Sequence, residues 1–277
     1  MGDLNGRTVV VTGAASPIGL GHAMAVAMLA AGARVAFLDT NEAQLAEAVT
    51  AATGRFGSDR VLGVTADVSD EAAAHRAIAD VRSRADSIDI LVNNAGINVG
   101  ALGLDNDALP WDIPVPAWRR VAEVNYLGPV IMTNALLPSM IAQGYGRIIG
   151  ITTSLDTMWR PISPGYGPAK AAHEAFIANI APRLTGSGVT ANVLTPGGVT
   201  MTGSSRGTTL LDPAAMLSPL VMGSPAVWLA SPGAHDFNGM RIIACRWDES
   251  LPLDQRVEQA AAPAAWPGLG KQAVNLP

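Results

Sequence analysis

The amino-acid sequence predicts an α/β protein: a doubly wound parallel sheet of about seven strands with helices on both faces, in three layers. Short β-branched apolar segments alternate with longer alanine-rich segments, and the strand-like segments are apolar on both faces. A glycine-containing turn follows the first of them. Such alternation is typical of βαβ units, and strands without a polar face require helices on both sides.

Seven segments have the length and composition of strands: residues 7–12, 34–38, 60–65, 88–92, 147–151, 189–194 and 240–245. The helix-like segments between them are residues 22–31, 42–52, 70–84, 118–142, 169–184 and 225–230. Short Val- and Ile-rich runs favour strands, and runs of about ten or more residues favour helices. We therefore predict a single domain over residues 1–250.

Three segments interrupt this alternation. Residues 97–116 contain three prolines and a tryptophan, and residues 197–223 are rich in Thr, Ser, Met and Leu. Both follow predicted strand ends, where open α/β sheets bind ligands, so we interpret them as substrate loops. Residues 251–277, which contain four prolines, are predicted to be a Pro/Ala-rich C-terminal tail.

The composition argues against several classes of function. The 277 residues contain 18 Lys plus Arg and 23 Asp plus Glu, a net charge of −5, whereas a nucleic-acid binder needs a basic surface. The single cysteine, Cys245, excludes an intramolecular disulfide, and the four histidines share no ligand spacing, so no metal is expected. The apolar run at residues 21–38 carries His22 and Arg34 and is short for a bilayer span. We expect a cytoplasmic protein without a membrane segment, since the N-terminal residues are polar and acidic.

The turn after the first strand is a candidate phosphate site. Gly13 and Gly19 allow the backbone to approach a pyrophosphate, and the helix that follows offers N–H groups. Asp39 ends the second strand, where a carboxylate accepts hydrogen bonds from an adenosine ribose and repels a 2′-phosphate. Residues 14–21 contain no Lys or Arg. The pattern favours NAD over NADP, although a glycine turn alone could be only a tight turn.

Tyr166 and Lys170 form a candidate catalytic pair in a chain with three tyrosines and two lysines. Four residues make about one helical turn, so both side chains lie on one face. A phenol with a pKa of about 10 is a poor base at neutral pH, and a nearby ammonium favours the phenolate. The pair suits a reaction in which a proton moves at an alcohol oxygen while a hydride moves at its carbon. The alternative is a surface pair on a helix.

On these motifs the sequence resembles the short-chain dehydrogenase/reductase family, in its single-domain branch. Thr12, Gly13 and Gly19 match the family's T-G-x-x-x-G-x-G motif, and the Tyr–Lys pair matches Y-x-x-x-K. The chain departs at Pro17, where the family usually has glycine. The resemblance covers roughly residues 4–245 and implies a Rossmann-like fold, a nicotinamide cofactor and oxidoreductase activity.

Further motifs follow in the family's order after the third, fourth and sixth predicted strands. The resemblance implies that the cofactor is bound by Gly13, Ser16, Ile18, Gly19, Asp39, Asp67, Val68, Asn94, Ala95, Gly96, Tyr166, Lys170, Pro196, Gly197 and Val199. It places the adenine at Asp67 and Val68, the nicotinamide ribose at Lys170 and the nicotinamide amide at residues 196–199. The family's Thr after this last stretch is replaced by Met201, and the choice between Thr200 and Thr202 stays open.

The resemblance also implies two further catalytic residues. Asn125 matches the helix Asn that links the Lys to solvent through a water. The family's hydroxyl donor stands thirteen residues before the Tyr, which is Thr153 here. Ser154, one residue later, is the alternative donor if the backbone is shifted, and a third possibility is that neither serves.

The sequence thus predicts an NAD(H)-dependent oxidoreductase that moves a hydride between the nicotinamide and a secondary alcohol or ketone. The apolar loops favour an alicyclic, aromatic or steroid-like substrate, while Arg160 and Arg206 could instead bind an acidic group. A non-catalytic NAD-binding regulator is the alternative, but it need not keep Tyr, Lys and Asn together. Family members pair through the helices at residues 118–142 and 169–184, so a homo-oligomer, a dimer or a tetramer, is expected.

Overall fold

The computed structural model describes residues 3–160, 163–203 and 212–269. The strands are β1 (Thr8–Thr12), β2 (Arg34–Asp39), β3 (Val61–Thr65), β4 (Ile90–Asn93), β5 (Gly146–Ile151), β6 (Val189–Thr195), β7 (Met240–Ile243) and β8 (Ala261–Pro263). The helices are α1 (Leu20–Ala30), α2 (Glu42–Phe56), α3 (Glu71–Ser83), α4 (Val115–Ala122), α5 (Gly128–Ala142), α6 (Leu155–Trp159), α7 (Tyr166–Ile180), α8 (Gly223–Ala230) and α9 (Leu253–Ala260).

The sheet order is β3-β2-β1-β4-β5-β6-β7-β8, which confirms the doubly wound α/β fold. β1 to β7 are parallel, and β1 lies between β2 and β4, so the chain reverses its direction of winding at β1. The seven predicted strands differ from the observed ones by at most two residues at either end. The carboxyl ends of β1 and β4 meet at the reversal, where open sheets bind ligands.

The sheet has eight strands rather than about seven. The segment predicted to be a tail contains a helix and a strand within residues 251–269, the part of it that the structure describes. α9 leads into β8, which pairs antiparallel with β7, Ile242 opposite Ala261. Proline in this strand suits the sheet edge, since proline has no N–H to donate to a neighbouring strand. The C-terminal segment thus covers an edge that would otherwise be open.

The predicted helix at residues 118–142 is divided into three parts. A π-helical turn, Glu123–Leu127, separates α4 from α5. Turns of this kind are rare and occur frequently at functional sites. Here the turn carries Asn125, whose side chain is fully buried.

Hydrophobic side chains fill both faces of the sheet, which gives the three layers. α1, α2 and α8 cover one face, and α3, α5 and α7 cover the other. A third, smaller cluster includes Val99, Ile113 and Val121, so part of the segment 97–116 packs against the domain. The same segment contains two 3-10 turns. In the part of the chain that the structure describes, no helix is long and apolar enough to cross a bilayer.

Candidate active site

Side chains and backbone at the ends of β1 and β4 are hydrogen-bonded to each other. The hydroxyl of Thr12 donates to the Val92 carbonyl (3.2 Å) and accepts from the N–H groups of Asn94 and Ala95 (both 3.0 Å). The Asn94 amide donates to the carbonyls of Thr12 and Gly13 (both 2.9 Å). The glycine turn and the Asn-Ala-Gly stretch predicted to bind cofactor therefore lie side by side.

The glycine turn is shaped for a ligand that contacts backbone. Gly13 has a φ of +66°, and a Cβ there would lie 2.8 Å from Cα of Ala95. A Cβ on Gly21 would lie 2.4 Å from the Gly13 carbonyl oxygen. Gly19 caps α1 without a side-chain acceptor, and Ser16 and Ile18 are half-buried in the same turn. The first-turn N–H groups of α1 fit a pyrophosphate.

Asp39 lies beside this turn at the end of β2. Its carboxylate accepts hydrogen bonds from the backbone N–H groups of Ala15 (3.0 Å) and Asn41 (3.1 Å). Each carboxylate oxygen can accept more than one hydrogen bond, so the group also suits ribose hydroxyls. The turn and the carboxylate together fit an adenosine diphosphate.

The Asp67 carboxylate, expected at the adenine, is held by two residues. It accepts from the N–H and hydroxyl of Ser69 (2.9 and 2.7 Å) and from the guanidinium of Arg120 in α4 (2.5 Å). Burial by itself raises the pKa of Asp67, but these hydrogen bonds and the Arg120 charge outweigh it and lower that pKa. Val68 is buried, and a Cβ on Gly128 would lie 2.6 Å from its side chain. The Val68 side chain therefore packs inside the protein, which leaves its backbone as the part that a cofactor could contact.

Tyr166 begins α7, and Lys170 lies one turn later on the same face. The Lys170 ammonium is 5.9 Å from the centre of the Tyr166 ring and donates to the Ile151 carbonyl at the end of β5 (2.9 Å). Lys170 is only 2% exposed. The pair therefore faces the carboxyl end of the sheet, as the helical spacing predicts.

Burial shifts both titrations towards the neutral forms. It raises the pKa of Tyr166 to about 12 and lowers the pKa of Lys170 to about 8, because the charged forms lose hydration. The sequence led us to expect a lowered phenol pKa. In the structure the phenol is neutral at pH 7, so a lowered value requires additional positive charge beside it.

The buried Lys170 predicts a pH dependence of stability. Its pKa is about 8 in the folded chain against 10.5 for an ordinary lysine, so between these values the unfolded state binds more protons and the unfolding free energy rises with pH. Relative to Lys170→Met, we expect the wild type to gain about 3 kcal/mol between pH 7 and pH 10.5. Chemical denaturation across this range measures it. A difference between the two proteins that does not change with pH would contradict the lowered pKa.

Asn125 lies close to the lysine. Its amide donates to the carbonyls of Ile97 (2.7 Å) and Val121 (2.9 Å), while its Oδ1 is buried and accepts no hydrogen bond from a described residue. A Cβ on Gly96 would lie 2.6 Å from this Oδ1 and 3.2 Å from the Lys170 ammonium. Both atoms therefore border the space above Gly96, an arrangement suited to the expected proton relay.

The two candidate hydroxyl donors after β5 have different surroundings. Ser154 caps α6: its hydroxyl accepts from the Thr157 N–H (3.3 Å) and lies 2.8 Å from the Thr157 hydroxyl. Thr153 is half-buried, and its hydroxyl has no hydrogen bond to any described residue. The capping role of Ser154 favours Thr153 as the hydroxyl available to a substrate.

The stretch after β6 lies next to the end of β7. The Pro196 carbonyl accepts from the Cys245 N–H (3.1 Å), and a Cβ on Gly197, where φ is +90°, would lie 2.5 Å from the Cys245 sulfur. Val199 is 38% exposed, whereas Thr200 is buried. Neither observation decides between Thr200 and Thr202. Arg206, an alternative anion-binding residue, lies outside the described residues.

Sequence reasoning missed three charged residues beside the site: Arg120, Glu174 and Arg241. Glu174 stands one turn after Lys170, so the spacing from Tyr166 already places it on the catalytic face. Arg241 is a charge within an apolar strand, which is a second signal. The pairing of Arg120 with Asp67 spans 53 residues and leaves no local pattern.

No metal centre is formed by the described residues, since no three His, Cys, Asp or Glu side chains are grouped suitably. His173 is fully buried, and its ring nitrogens have no partner within the described chain. Burial, together with the Lys170 charge, lowers the pKa of His173 well below its usual value. The imidazole is therefore a neutral packing group over Gly150, where a Cβ would lie 2.8 Å from Nε2.

Comparison with known proteins finds relatives of this chain. The family model for short chain dehydrogenases matches residues 7–209. A short chain dehydrogenase of Pseudocercospora fijiensis is 36% identical over 198 residues, 72% of this chain and 61% of that protein, so the match spans about three fifths of its length. The 2-dehydro-3-deoxy-L-rhamnonate dehydrogenase (NAD(+)) of a Sphingomonas species is 33% identical over 191 residues, 69% of this chain and 71% of that protein.

A solved structure shares the architecture as well. It is a Beutenbergia cavernae protein assigned as an NAD(P)-dependent gluconate 5-dehydrogenase, with NADP bound at low occupancy. It superposes with a TM-score of 0.74 at 28% identity, covering 87% of this chain and 95% of the other. The family model, the relatives and the sheet order agree. The chain belongs to the short-chain dehydrogenase family of oxidoreductases.

Proposed function

We propose that this protein is an NAD-dependent alcohol dehydrogenase or ketone reductase that acts on a secondary alcohol or the corresponding ketone. The observation that carries the proposal is the arrangement at the end of β5. The buried Lys170 ammonium lies 5.9 Å from the centre of the Tyr166 ring and donates to the Ile151 carbonyl. Thr153, whose hydroxyl has no hydrogen bond to a described residue, stands two residues after Ile151. A bound nicotinamide would donate or accept the hydride.

Tyr166 acts as the general acid and base. In ketone reduction it donates the phenolic proton to the substrate oxygen, and burial keeps it in the required neutral form. In alcohol oxidation it accepts that proton, and the Lys170 ammonium stabilises the phenolate. Thr153 donates a hydrogen bond to the substrate oxygen, where negative charge develops. Asn125 would hold, through its Oδ1, which accepts no hydrogen bond from a described residue, a water that links Lys170 to solvent.

The cofactor residues divide by the part of the molecule that they hold. The pyrophosphate is held by the glycine turn (Gly13, Ser16, Ile18, Gly19), the adenosine ribose by Asp39, and the adenine by Asp67 and the Val68 backbone. Asn94, Ala95 and Gly96 line the middle of the cofactor. Tyr166 and Lys170 hold the nicotinamide ribose, and Pro196, Gly197 and Val199 its amide.

Asp39 makes NAD the working cofactor in this proposal. Similar proteins differ, since one is named for NAD(+) and another structure holds NADP. We expect kcat/KM to favour NAD by roughly 30-fold, because about 2 kcal/mol separates a ribose hydroxyl from a 2′-phosphate beside a carboxylate. Asp39→Ala should narrow this ratio, and Thr40→Ala, which leaves the carboxylate in place, should not. A wild-type preference for NADP would refute the assignment.

The proposed substrate is mostly apolar: an alicyclic, aromatic or steroid-like alcohol. Trp111, Trp159, Met201 and Leu220, in and beside the predicted substrate loops, are 48–77% exposed, which supports this class. The alternative is an acidic substrate, because the similar proteins are named for rhamnonate and gluconate, and Arg160 is exposed beside Trp159.

A substrate panel tests both the reaction and the substrate class. Cyclohexanol, 1-phenylethanol, a hydroxysteroid and gluconate are each supplied with NAD+, and NADH formation is followed by absorbance. We expect turnover of at least one apolar alcohol. Turnover of gluconate alone, lost in Arg160→Gln, would replace the apolar class by the acidic one. NAD binding without turnover of any secondary alcohol would favour the NAD-binding regulator.

We also propose that the chain forms a homo-oligomer through α4, α5 and α7. Leu127, just before α5, and Ile141, near its end, are 44% and 45% exposed, so both could contact a second subunit. Light scattering at micromolar concentration should give the mass of a dimer or a tetramer. The mass of a single chain would contradict the proposal. A cytoplasmic location stays a prediction.

A further inference from the structure

We propose that the buried ion pair between Glu174 and Arg241 positions the backbone of Thr153, and that the C-terminal segment helps to hold Glu174 in place. The inference rests on the proposed function, in which the Thr153 hydroxyl contacts the substrate oxygen. Glu174 and Arg241 are positioning residues here, since they act through the backbone of Thr153.

One guanidinium joins α7 to the chain that leaves β5. Nη1 of Arg241 is paired with Oε2 of Glu174, and Nη2 donates to the Thr153 carbonyl (2.6 Å). Glu174 is fully buried and Arg241 is 4% exposed. A planar guanidinium with fixed donor directions therefore sets the distance between the helix and the Thr153 peptide.

Three consecutive residues at this strand end are held by the same helix face. Lys170 binds the Ile151 carbonyl (2.9 Å), and the Thr152 hydroxyl donates to Oε2 of Glu174 (2.9 Å). Arg241, itself held by Glu174, binds the carbonyl of the third residue, Thr153. β5 ends at Ile151, so side-chain contacts take over where the strand ladder stops.

The sheet register brings Arg241 within reach. Arg241 pairs with Val193, which pairs with Gly150, so the three lie in one row across β7, β6 and β5. Residues in one row point to the same face, which here is the face that α7 covers. Gly150 contributes no side chain to that row, so the His173 ring of α7 packs directly against β5 at this position.

The C-terminal segment supplies a further contact to the same carboxylate. Oε1 of Glu174 accepts from the N–H of Ala265 (3.2 Å), just after β8. Ala265 has a φ of +60°, which is uncommon for a residue other than glycine, and the Ala264 N–H binds the Gly239 carbonyl (2.9 Å). The carboxylate therefore joins α7, β7, the end of β5 and the C-terminal segment.

A buried ion pair is weak evidence for stability, because desolvation of both charges opposes their attraction. The geometry it imposes is the more direct consequence. Removing one partner leaves a buried charge, so the test changes both residues together. In Glu174→Gln/Arg241→Met both charges of the pair are removed, so neither is left without its partner, and the fork to Thr153 is lost.

The experiment compares kcat, KM and NADH affinity, the last by fluorescence, for the wild type and three variants. We expect the double variant to lose at least tenfold in kcat, with NADH affinity within about twofold. Arg241→Lys keeps the charge but lacks the fork, so its kcat should lie between those of the wild type and the double variant. Arg147→Met is the matched control: Arg147 is also buried and binds the carbonyls of Gly146 (2.8 Å) and Gly188 (3.1 Å), but at the other end of β5. It should lower Tm and leave kcat unchanged.

The outcomes separate this inference from the proposed function. If the wild type is active and the double variant has the same kcat, the positioning role is overturned but the proposed function is not. The same holds if the double variant and Arg147→Met lose kcat equally at equal loss of Tm. A wild-type chain that oxidises no secondary alcohol would overturn the proposed function, and the inference with it.

Discussion

Tyr166→Phe is expected to lower kcat by about 10²- to 10⁴-fold in both directions, while NADH affinity changes little. The substitution removes only the phenolic oxygen, and with it the proton donor and acceptor at the substrate oxygen. Steady-state kinetics and fluorescence titration of NADH measure the two effects. Tyr145→Phe is the matched control, because its hydroxyl donates to the Ala230 carbonyl (2.9 Å) far from the site.

The pH dependence of activity gives a second test of Tyr166. Alcohol oxidation requires the phenolate, so kcat/KM for oxidation should rise with pH below the phenol pKa. Ketone reduction uses the neutral phenol, which burial favours, so kcat/KM for reduction should not rise with pH. Tyr166→Phe should abolish the rise. Full activity in this variant, or an unchanged pH profile, would exclude the phenol as the acid and base. We expect Tyr145→Phe to lower the free energy of unfolding by about 1 kcal/mol and to leave the activity unchanged.

Thr153→Ala is expected to lower kcat by about 10²- to 10³-fold, or about 2.7–4 kcal/mol. The hydroxyl would donate a hydrogen bond that strengthens as charge develops on the substrate oxygen, and removing one such donor typically has this effect. Thr153→Ser keeps the hydroxyl and should retain most of the activity. Initial rates with a saturating substrate measure the series.

Ser154→Ala separates the two candidate donors. Because Ser154 caps α6, its loss should cost about 1 kcal/mol of stability and tenfold or less in kcat. The reverse ranking, with Ser154→Ala inactive and Thr153→Ala nearly wild type, would assign the hydroxyl to Ser154. If both variants stay active while Tyr166→Phe is inactive, the donor belongs to neither residue.

The sequence was sufficient for the features that depend on neighbouring residues. Strand and helix alternation, and with it the fold class, follows from local periodicity, since burial on both faces demands apolar strands. Tyr166 and Lys170 share a helix face because four residues make one turn. Gly13 follows a strand and precedes a helix, and together with Asp39 at the end of the next strand this predicts a phosphate turn.

Other features required the tertiary structure, either because no residue pattern marks them or because they join residues far apart in the chain. The π turn at Asn125 is a local conformation, but no residue pattern distinguishes it from the helix around it. β8 is a strand only because β7 offers an unpaired edge to a proline-containing segment.

The site itself divides in the same way. Helical spacing alone places Glu174 on the catalytic face, but its partner Arg241 lies 67 residues away and approaches through the register of β5, β6 and β7. The resemblance to a family motif selects Thr153 by count, whereas the capping of α6 by Ser154 is visible only once the strand end is folded. Periodicity and spacing are properties of the chain, while hydrogen bonds between distant strands and helices exist only after packing has brought them together.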